Sequence, residues 1–268
     1  MGDDELEKQV INDLVILGKA APDSLKDGRK TICVGGWSPT KGFIRIYPAH
    51  VYSPIKRWNV VQVPVERNPQ DTRPESWKIQ GSKREWSELY KKIKVVRTLS
   101  NKEQRDLIRE IPKISCIEDL NEEKKSLGII QPKEILEVGF KEREKFTTTV
   151  QTQLFDEMMP IKTKENYPLI PYIKWVCPSC KNKRGYHEMQ VLEWGAYEWF
   201  RKNFNNRDKW EQVWENMHLF DDQYDKWFFV GNQAKYRKSF LIISVLRFKK
   251  MDLNKDNPEP KTTLDQFF

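Results

Sequence analysis

Three metal-ligating side chains lie close together in the segment "CPSCKNKRGYH", which contains Cys177, Cys180 and His187. A Cys-x-x-Cys pair can form a metal knuckle because its two sulfur atoms converge on one tetrahedral ion, and a histidine a few residues later can reach the same ion. Zinc is the cofactor that this pattern predicts. The fourth ligand must come from elsewhere in the chain, and the candidates are Cys33, Cys116, His50 and His218.

The same residues admit two other interpretations. Cys177 and Cys180 can be free thiols beside an unliganded histidine, or all four cysteines of the chain can hold an iron–sulfur cluster. A zinc deaminase does not fit. Its motif places His-x-Glu before Pro-Cys-x-x-Cys, whereas here His187 follows the cysteines and precedes Glu188 directly.

Basic residues give the chain a formal net charge of +8, and between residues 41 and 113 they outnumber acidic residues by about two to one. Such an excess is expected of a surface that contacts phosphates. Tryptophans lie among these cations, and exposed rings with cationic side chains hold single-stranded DNA without reading its sequence. The alternative is that the tryptophans are buried and the cations keep the protein soluble. The predicted nucleic-acid-binding residues are Arg45, Lys56, Arg57, Arg67, Arg73, Lys78, Lys83, Arg84, Arg237 and Lys238.

Catalytic motifs are sparse. The chain has three histidines, no phosphate-binding Gly-x-x-x-x-Gly-Lys loop and no Gly-x-Ser-x-Gly motif. A nuclease would need Mg²⁺ held by carboxylates, and the acidic run at Glu122 and Glu123 is more typical of a solvated helix face. A DNA glycosylase or lyase would need only a pocket for a flipped base and one carboxylate or lysine, which the sequence does not single out.

The elements that must position these residues predict an α+β fold. Val61, Val63 and Val65 alternate with polar positions as in a half-buried strand, whereas Val10, Ile11, Leu14, Val15 and Leu17 have near-helical spacing. We therefore expect a helical lead-in over residues 1–27, a β-rich basic module (a small twisted sheet or barrel) over 28–100, an α+β domain with the Cys/His knuckle and a C-terminal β-hairpin over 101–250, and a disordered linker and tail over 251–268.

Capping boxes and periodicity predict individual elements in the α+β domain over residues 101–250. Ser100 with Glu103 and Ser115 with Glu118 predict helices that begin near residues 101 and 116. A Trp-rich apolar stripe predicts helix from about residue 192 to residue 218, with a possible break at "NFNNRD" and with its rings in the core. The nearly continuous apolar run at 239–248 predicts a central strand.

The last eight residues, "KTTLDQFF", resemble the PCNA-interacting peptide (PIP box) by which replication and repair proteins of archaea and eukaryotes bind the sliding clamp. Leu264, Phe267 and Phe268 match its hydrophobic anchors, and one helical turn places positions i, i+3 and i+4 on one side. Lys261 stands where the family has glutamine, which should weaken binding through the lost amide contact. The preceding "MDLNKDNPEPK" is polar and Pro-containing, as expected of a flexible linker.

These features predict a DNA-binding replication or repair protein that its tail recruits to the PCNA sliding clamp. Two alternatives stay open: a clamp-tethered repair enzyme, either a nuclease that uses Mg²⁺ or a glycosylase or lyase, and a non-catalytic clamp adaptor. No segment approaches the length of a membrane span, and four scattered cysteines do not form a secreted disulfide framework. We expect an intracellular protein without a membrane partner, in the nucleoid-containing cytoplasm, or in the nucleus of a eukaryote.

Overall fold

The structure is a computed structural model that describes residues 6–144 and 161–250. The predicted clamp-binding residues Lys261, Leu264, Phe267 and Phe268 lie outside the described residues.

A seven-stranded sheet occupies the first part of the chain. Its strands are β1 (Lys8–Lys19), β2 (Asp23–Ser24), β3 (Lys30–Ser38), β4 (Gly42–His50), β5 (Asn59–Arg67), β6 (Ser76–Ile79) and β7 (Lys94–Thr98). Five of them close into a barrel, because β1, β3, β4, β6 and β5 follow one another and β5 pairs again with β1. Val61, Val63 and Val65 of β5 are fully buried, as the interior-facing residues of a small barrel should be. The predicted β-rich module is therefore a closed barrel.

Strand β1 replaces the helix that we predicted over residues 1–27. The register of β1 against β5 shifts between Ile11, which is opposite Val63, and Leu14, which is opposite Val61. A β-bulge at this shift adds a residue, so Ile11 and Leu14 both point inward although they are three positions apart. A bulged strand thus reproduces the spacing of an amphipathic helix.

Helices and two three-stranded sheets form the rest of the described chain, residues 101–144 and 161–250, which we call the second part. The elements are α1 (Asn101–Glu110), α2 (Ile117–Glu122), β8 (Leu127–Ile130), β9 (Glu134–Glu142), β10 (Leu169–Val176), β11 (His187–Gln190), α3 (Trp194–Lys202), α4 (Gln212–Asn216), β12 (Tyr224–Asn232) and β13 (Phe240–Lys249). The sheets run β11-β10-β9 and β13-β12-β8. This part of the chain combines helices and sheets, as the α+β prediction expects, whereas the barrel consists of strands.

The predicted helix starts are confirmed at α1 and α2. Ser100 caps α1 as predicted, with its own N–H donating to the Glu103 carboxylate at 2.8 Å. At α2 the cap lies one residue later than expected, because the N–H of Cys116 donates to Asp119 at 2.8 Å. The Trp-rich stripe forms α3 and α4 with the predicted break between them, and Trp210 and Trp214 are buried in the core.

Strand β13 corrects the prediction of a central strand. It lies at the edge of its sheet, and β12 is the central strand. Its apolar run is nevertheless buried on both faces, because Ile242 and Val245 pack into the core of the second part while Ile243 and Leu246 pack against residues of the barrel. Burial by neighbouring layers, rather than a central position, explains the continuous apolar sequence.

A buried ion pair also joins the barrel to the second part. The Arg57 guanidinium lies 3.3 Å from the Glu193 carboxylate, and both side chains are nearly inaccessible. Arg57 donates further to the Ser244 hydroxyl at 3.1 Å and to the Val245 carbonyl at 3.0 Å. Barrel and second part therefore share one interior.

Within residues 6–144 and 161–250, no helix is both long and apolar enough to cross a membrane.

Candidate functional site

The Cys/His cluster forms where a β-hairpin meets the start of a helix. Strands β10 and β11 pair so that Trp175 is opposite His187, and the loop between them carries Cys177 and Cys180 back toward the histidine. Cys116 reaches the same point from the N-cap of α2. Two elements distant in sequence thus supply the side chains.

The distances from His187 to the three sulfur atoms are close to those of a metal site. His187 Nε2 lies 3.4 Å from Cys177 Sγ, 3.7 Å from Cys180 Sγ and 3.8 Å from Cys116 Sγ. Zn–S bonds of about 2.3 Å and Zn–N bonds of about 2.0 Å give a tetrahedral edge of roughly 3.6 Å. The ligand atoms of Cys116, Cys177 and His187 all lie within 4.8 Å of one another. These three residues could hold a metal ion. Cys116 is thus the candidate that the structure adds to the predicted ligands, whereas Cys180 is not part of this group although its Sγ lies 3.7 Å from His187 Nε2.

Burial of the cluster affects the protonation of its ligand atoms. Burial lowers the pKa of His187, so its imidazole is neutral at physiological pH, the form that binds metals. Burial raises the pKa of Cys177, and the neighbouring thiols of Cys116 and Cys180 raise it further, so a bound cation would have to displace the thiol protons. The backbone N–H of Lys181 donates to Cys116 Sγ at 3.2 Å.

The other candidates for the fourth ligand lie elsewhere. Cys33 Sγ accepts a hydrogen bond from Arg45 at 3.3 Å. His50 lies among Tyr52, Trp86 and Tyr90, and the ring of His218 stacks on Tyr224 with the centroids 4.1 Å apart.

A second feature is a cavity of about 240 Å³ between the barrel and the second part, which we call the inner pocket. Barrel residues on one side and residues of β12, β13 and the segments beside them on the other line it. They are Ala20, Ala21, Asp23, Cys33, Arg45, Tyr47, Arg73, Lys164, Leu192, Gly231, Asn232, Gln233, Ala234, Lys235, Leu241 and Ile243.

Arg45 contributes a buried cation to the inner pocket, with 3% of its surface exposed. Its guanidinium donates to Cys33 Sγ at 3.3 Å and to the carbonyl and hydroxyl of Ser126 at 2.8 and 3.2 Å. Its Nε has no hydrogen-bond partner among the described residues. Burial lowers the pKa of Arg45, although a guanidinium stays charged in proteins.

The other cations of the inner pocket differ from Arg45 in having carboxylate partners or exposure. Arg73 binds the Asp71 carboxylate, with a shortest contact of 2.5 Å, and Lys164 lies 2.5 Å from Asp23. Lys235 stands at the exposed rim.

A larger cavity of about 800 Å³ lies on the barrel side, and we call it the outer cleft. Its charged lining consists of the basic residues Lys26, Arg29, Lys78 and Lys83 and the acidic residues Asp27 and Asp71, and Tyr47 and Trp86 are aromatic. The Arg29 guanidinium lies over the Trp86 ring, 4.6 Å from the centroid. Trp86 contacts the ring of His50, which in turn contacts the rings of Tyr52 and Tyr90. Tyr47 and Ala234 line both cavities, so the cleft and the pocket are adjacent.

The ten predicted nucleic-acid-binding residues separate into three groups. Lys78 and Lys83 line the outer cleft, Arg45 and Arg73 line the inner pocket, and Arg237 lies nearby, donating to Thr72 at 3.0 Å. Arg57 lies inside the protein, paired with Glu193, so it is not on an exposed surface. The remaining four lie away from both linings: exposed Lys56, Arg84 and Lys238, and Arg67, which covers the Trp77 ring.

Comparisons with known proteins give no activity. A family model described as "Domain of unknown function (DUF8758)" matches residues 10–111, and one described as "Domain of unknown function (DUF8757)" matches residues 113–264. No curated protein matches the chain. One solved structure to which the chain is similar is described as "Structure of murine DNA binding protein bound with ds DNA", with 12% identity, 96% of this chain and 99% of that chain covered, and a TM-score of 0.29. A TM-score this low carries no argument about function.

Proposed function

Because the chain belongs to the family described as a domain of unknown function (DUF8757), which names no activity, we propose from its own residues that the protein binds nucleic acid in the outer cleft. The observation that supports this proposal is the combination of basic and aromatic side chains lining one open cavity of about 800 Å³. We expect single-stranded DNA to be the preferred form.

The chemistry of the cleft suits a single strand. Lys26 and Lys83 are exposed, and such lysines attract phosphates through charge alone. Trp86 is partly exposed, with Arg29 over one face, and base stacking on aromatic side chains contributes about 1–3 kcal/mol per base. Stacking and charge together hold a strand without sequence readout.

Two further parts of the proposal concern zinc and the sliding clamp. For the cluster, we propose a structural zinc ion held by Cys116, Cys177, Cys180 and His187, supported by the three N–S distances of 3.4, 3.7 and 3.8 Å. For the tail, we propose recruitment to the PCNA clamp, supported by the sequence spacing of its three hydrophobic anchors. A protein with these partners would work beside DNA in replication or repair.

Binding to labelled oligonucleotides tests the proposal. We expect the full chain to bind a single-stranded oligonucleotide with an affinity that falls as salt rises, and K26E/K83E to weaken binding about tenfold or more, because two phosphate contacts are lost. The matched control is K102E/K133E, which makes the same change of charge at exposed lysines outside both cavities. An equal loss of affinity in both variants, or no dependence on salt, would contradict a binding site in the cleft.

The catalytic alternatives remain predictions. In the part of the chain that the structure describes, the one group of three or more His, Cys, Asp and Glu ligand atoms close enough to share an ion is Cys116, Cys177 and His187. Incubation with single-stranded, duplex and base-damaged DNA in Mg²⁺ or Mn²⁺ tests the nuclease and the glycosylase: strand cleavage or base release would establish an enzyme.

A further inference from the structure

We propose that the inner pocket binds a phosphomonoester, a phosphate group that ends a molecule. Its source is either the phosphorylated end of a nucleic-acid strand or a free nucleotide, and the first of these rests on the proposed function.

The buried charge of Arg45 calls for an anion. No carboxylate of the described residues lies within ion-pair distance of its guanidinium; its partners are a thiol, a carbonyl and a hydroxyl. Burying a charge without an opposite charge is costly, and proteins bury arginine mainly where a carboxylate or phosphate meets it. The unpartnered Nε leaves one donor of the group unused.

The rest of the lining leaves this charge in excess. Arg73 and Lys164 are matched by Asp71 and Asp23, whereas Lys235 at the rim has no carboxylate within 4.0 Å among the described residues. The Glu75 carboxylate is linked to Arg45 only through Ser126, whose hydroxyl and N–H donate to it at 2.8 and 2.9 Å. The pocket therefore presents one buried cation and one exposed cation that have no direct carboxylate partner. A doubly charged anion such as a phosphomonoester is complementary to this arrangement.

The dimensions favour a terminal phosphate over an internal one. The pocket has about 240 Å³, below the roughly 300–1,000 Å³ typical of sites that enclose drug-sized ligands. Its floor consists of buried residues such as Arg45, Leu192 and Leu241. A phosphodiester within a strand carries a nucleotide on each side, whereas a terminal phosphate carries one on a single side and can enter the space with its free oxygens first.

The connection to the outer cleft gives the phosphate a route of entry. Tyr47 and Ala234 line both cavities, so a strand in the cleft can place its end at the mouth of the pocket. Burial raises the pKa of Tyr47 to about 12. Like any tyrosine hydroxyl it is protonated at physiological pH, and it can donate a hydrogen bond to a phosphate oxygen.

Binding measurements with the full chain test the proposal. The ligands are single-stranded oligonucleotides of one sequence with a 5′-phosphate, a 3′-phosphate or no terminal phosphate, together with adenosine monophosphate and inorganic phosphate. We expect one phosphorylated end to bind at least about tenfold tighter than the unphosphorylated strand, which corresponds to about 1.4 kcal/mol and is within what a hydrogen bond to a charged group contributes. Equal binding of all three strands, together with no binding of the mononucleotide or of inorganic phosphate, would overturn the proposal.

Two substitutions of pocket residues, K235E and R45M, and one control, K238E, test whether the preference for a terminal phosphate comes from the inner pocket. K235E should abolish the preference for the phosphorylated ligand, whereas K238E, an equal change of charge at an exposed lysine that does not line the pocket, should retain it. R45M should abolish it as well. If R45M fails to fold, K235E still decides, because Lys235 is exposed and its substitution leaves the interior unchanged. Loss of the preference in K238E to the same extent would contradict the proposal.

Protection of Cys33 gives a readout that does not depend on the strand. Cys33 Sγ lies 3.3 Å from an Arg45 nitrogen and lines the pocket. A bound phosphomonoester should slow its alkylation by a maleimide, measured on the Cys33 peptide by mass spectrometry. Protection by adenosine monophosphate without binding of any strand would support the pocket and contradict the proposed function. The opposite result is strand binding that depends on salt but not on a terminal phosphate, without protection of Cys33 by any ligand. It would support nucleic-acid binding in the outer cleft and contradict phosphate binding in the inner pocket.

Discussion

At the scale of single residues, Lys19 shows how burial changes an ordinary side chain. It ends β1 inside the protein, where its ammonium group donates to the Ile55 carbonyl at 2.9 Å and lies 4.9 Å from the centre of the Trp194 ring. Burial lowers its pKa from 10.5 to about 8. The folded protein therefore releases this proton at a lower pH than the unfolded chain does, so between about pH 8 and 10.5 the unfolded chain binds more protons.

We predict that Lys19 makes the protein more stable as the pH rises. Because the unfolded state binds the extra proton, raising the pH from 7 to 10 should stabilise the wild-type chain by roughly 2–3 kcal/mol relative to K19M, which has no proton to lose. Denaturant unfolding at a series of pH values measures this difference. K102M, at an exposed lysine, is the control and should follow the wild-type profile. Parallel profiles for K19M and wild type would contradict the prediction.

Cys116 allows a direct test of the metal centre. We predict one zinc ion per chain by elemental analysis of the purified protein, and its loss or marked depletion in C116S, because a serine hydroxyl is a poor zinc ligand. The same change should lower the Tm by about 10 °C, since loss of a structural metal removes several kcal/mol of stability. C33S, at a cysteine outside the cluster, should keep both metal and Tm. Full zinc content in C116S would exclude Cys116 as a ligand.

The sequence identified part of each site for a physical reason. Cys177, Cys180 and His187 share a hairpin, so their spacing alone predicts that they can converge. Cys116 is 71 residues from His187, and only the packing of α2 against that hairpin selects it from four candidates. In the same way, the residue type shows that Arg57 is a cation, but it does not show that Arg57 is buried against Glu193, 136 residues away.

At the scale of elements, the sequence predicts a helix or strand correctly where the interactions that form it lie within a few residues. Ser100 and Glu103 satisfy each other's backbone groups within one turn, so the start of α1 could be read from four residues. Strand β1 is the counterexample, because its bulge depends on the register against β5. Closure of the barrel and the edge position of β13 depend on the same kind of pairing between distant segments, which periodicity does not encode.

Gly35 determines how closely the barrel approaches the second part of the chain. A Cβ at this position of β3 would lie 2.5 Å from Cε1 and 2.6 Å from Cζ of Phe229, a fully buried ring on β12. At Gly18 of β1, a Cβ would lie 2.8 Å from the Cβ of Ser244 on β13. The two glycines therefore let two layers of strands pack more closely than any side chain would permit.

We predict that G35A destabilises the protein by about 1–3 kcal/mol, because the Phe229 ring must move within a packed core. The corresponding fall in Tm is roughly 3–10 °C by thermal unfolding. G139A is the control, since the nearest atoms to its Cβ belong to the ring and hydroxyl of the partly exposed Tyr172, and it should change the Tm little. A Tm for G35A within a degree of wild type would show that the interface is looser than these distances imply.

At the scale of the whole molecule, the net charge of +8 and the proposed clamp-binding tail concern two different partners. The excess charge favours encounter with nucleic acid through long-range attraction. A clamp-binding tail would add a second attachment, and a flexible linker raises the effective concentration of one site when the other is bound. Body and tail should therefore cooperate on DNA that carries a clamp.

We predict that the PCNA clamp binds the full chain and not a chain ending at Lys261, because the truncated chain lacks all three apolar anchors. L264A/F267A/F268A should behave like the truncation. Binding to an immobilised clamp measures the effect, and binding of each variant to free single-stranded DNA is the control, which should not change. Equal clamp binding by the full and truncated chains would remove the basis for the clamp assignment.

The shared interior of the barrel and the second part determines whether either segment can fold without the other. One hydrophobic cluster contains Val15 and Leu17 from the segment that matches the first family model and Phe229, Ile243 and Leu246 from the segment that matches the second. A fragment that ended between the two matches would leave these apolar faces uncovered. The barrel and the second part are therefore halves of one folding unit. If either were fused to another protein, that protein would have to bury the apolar surface that the missing half buries here.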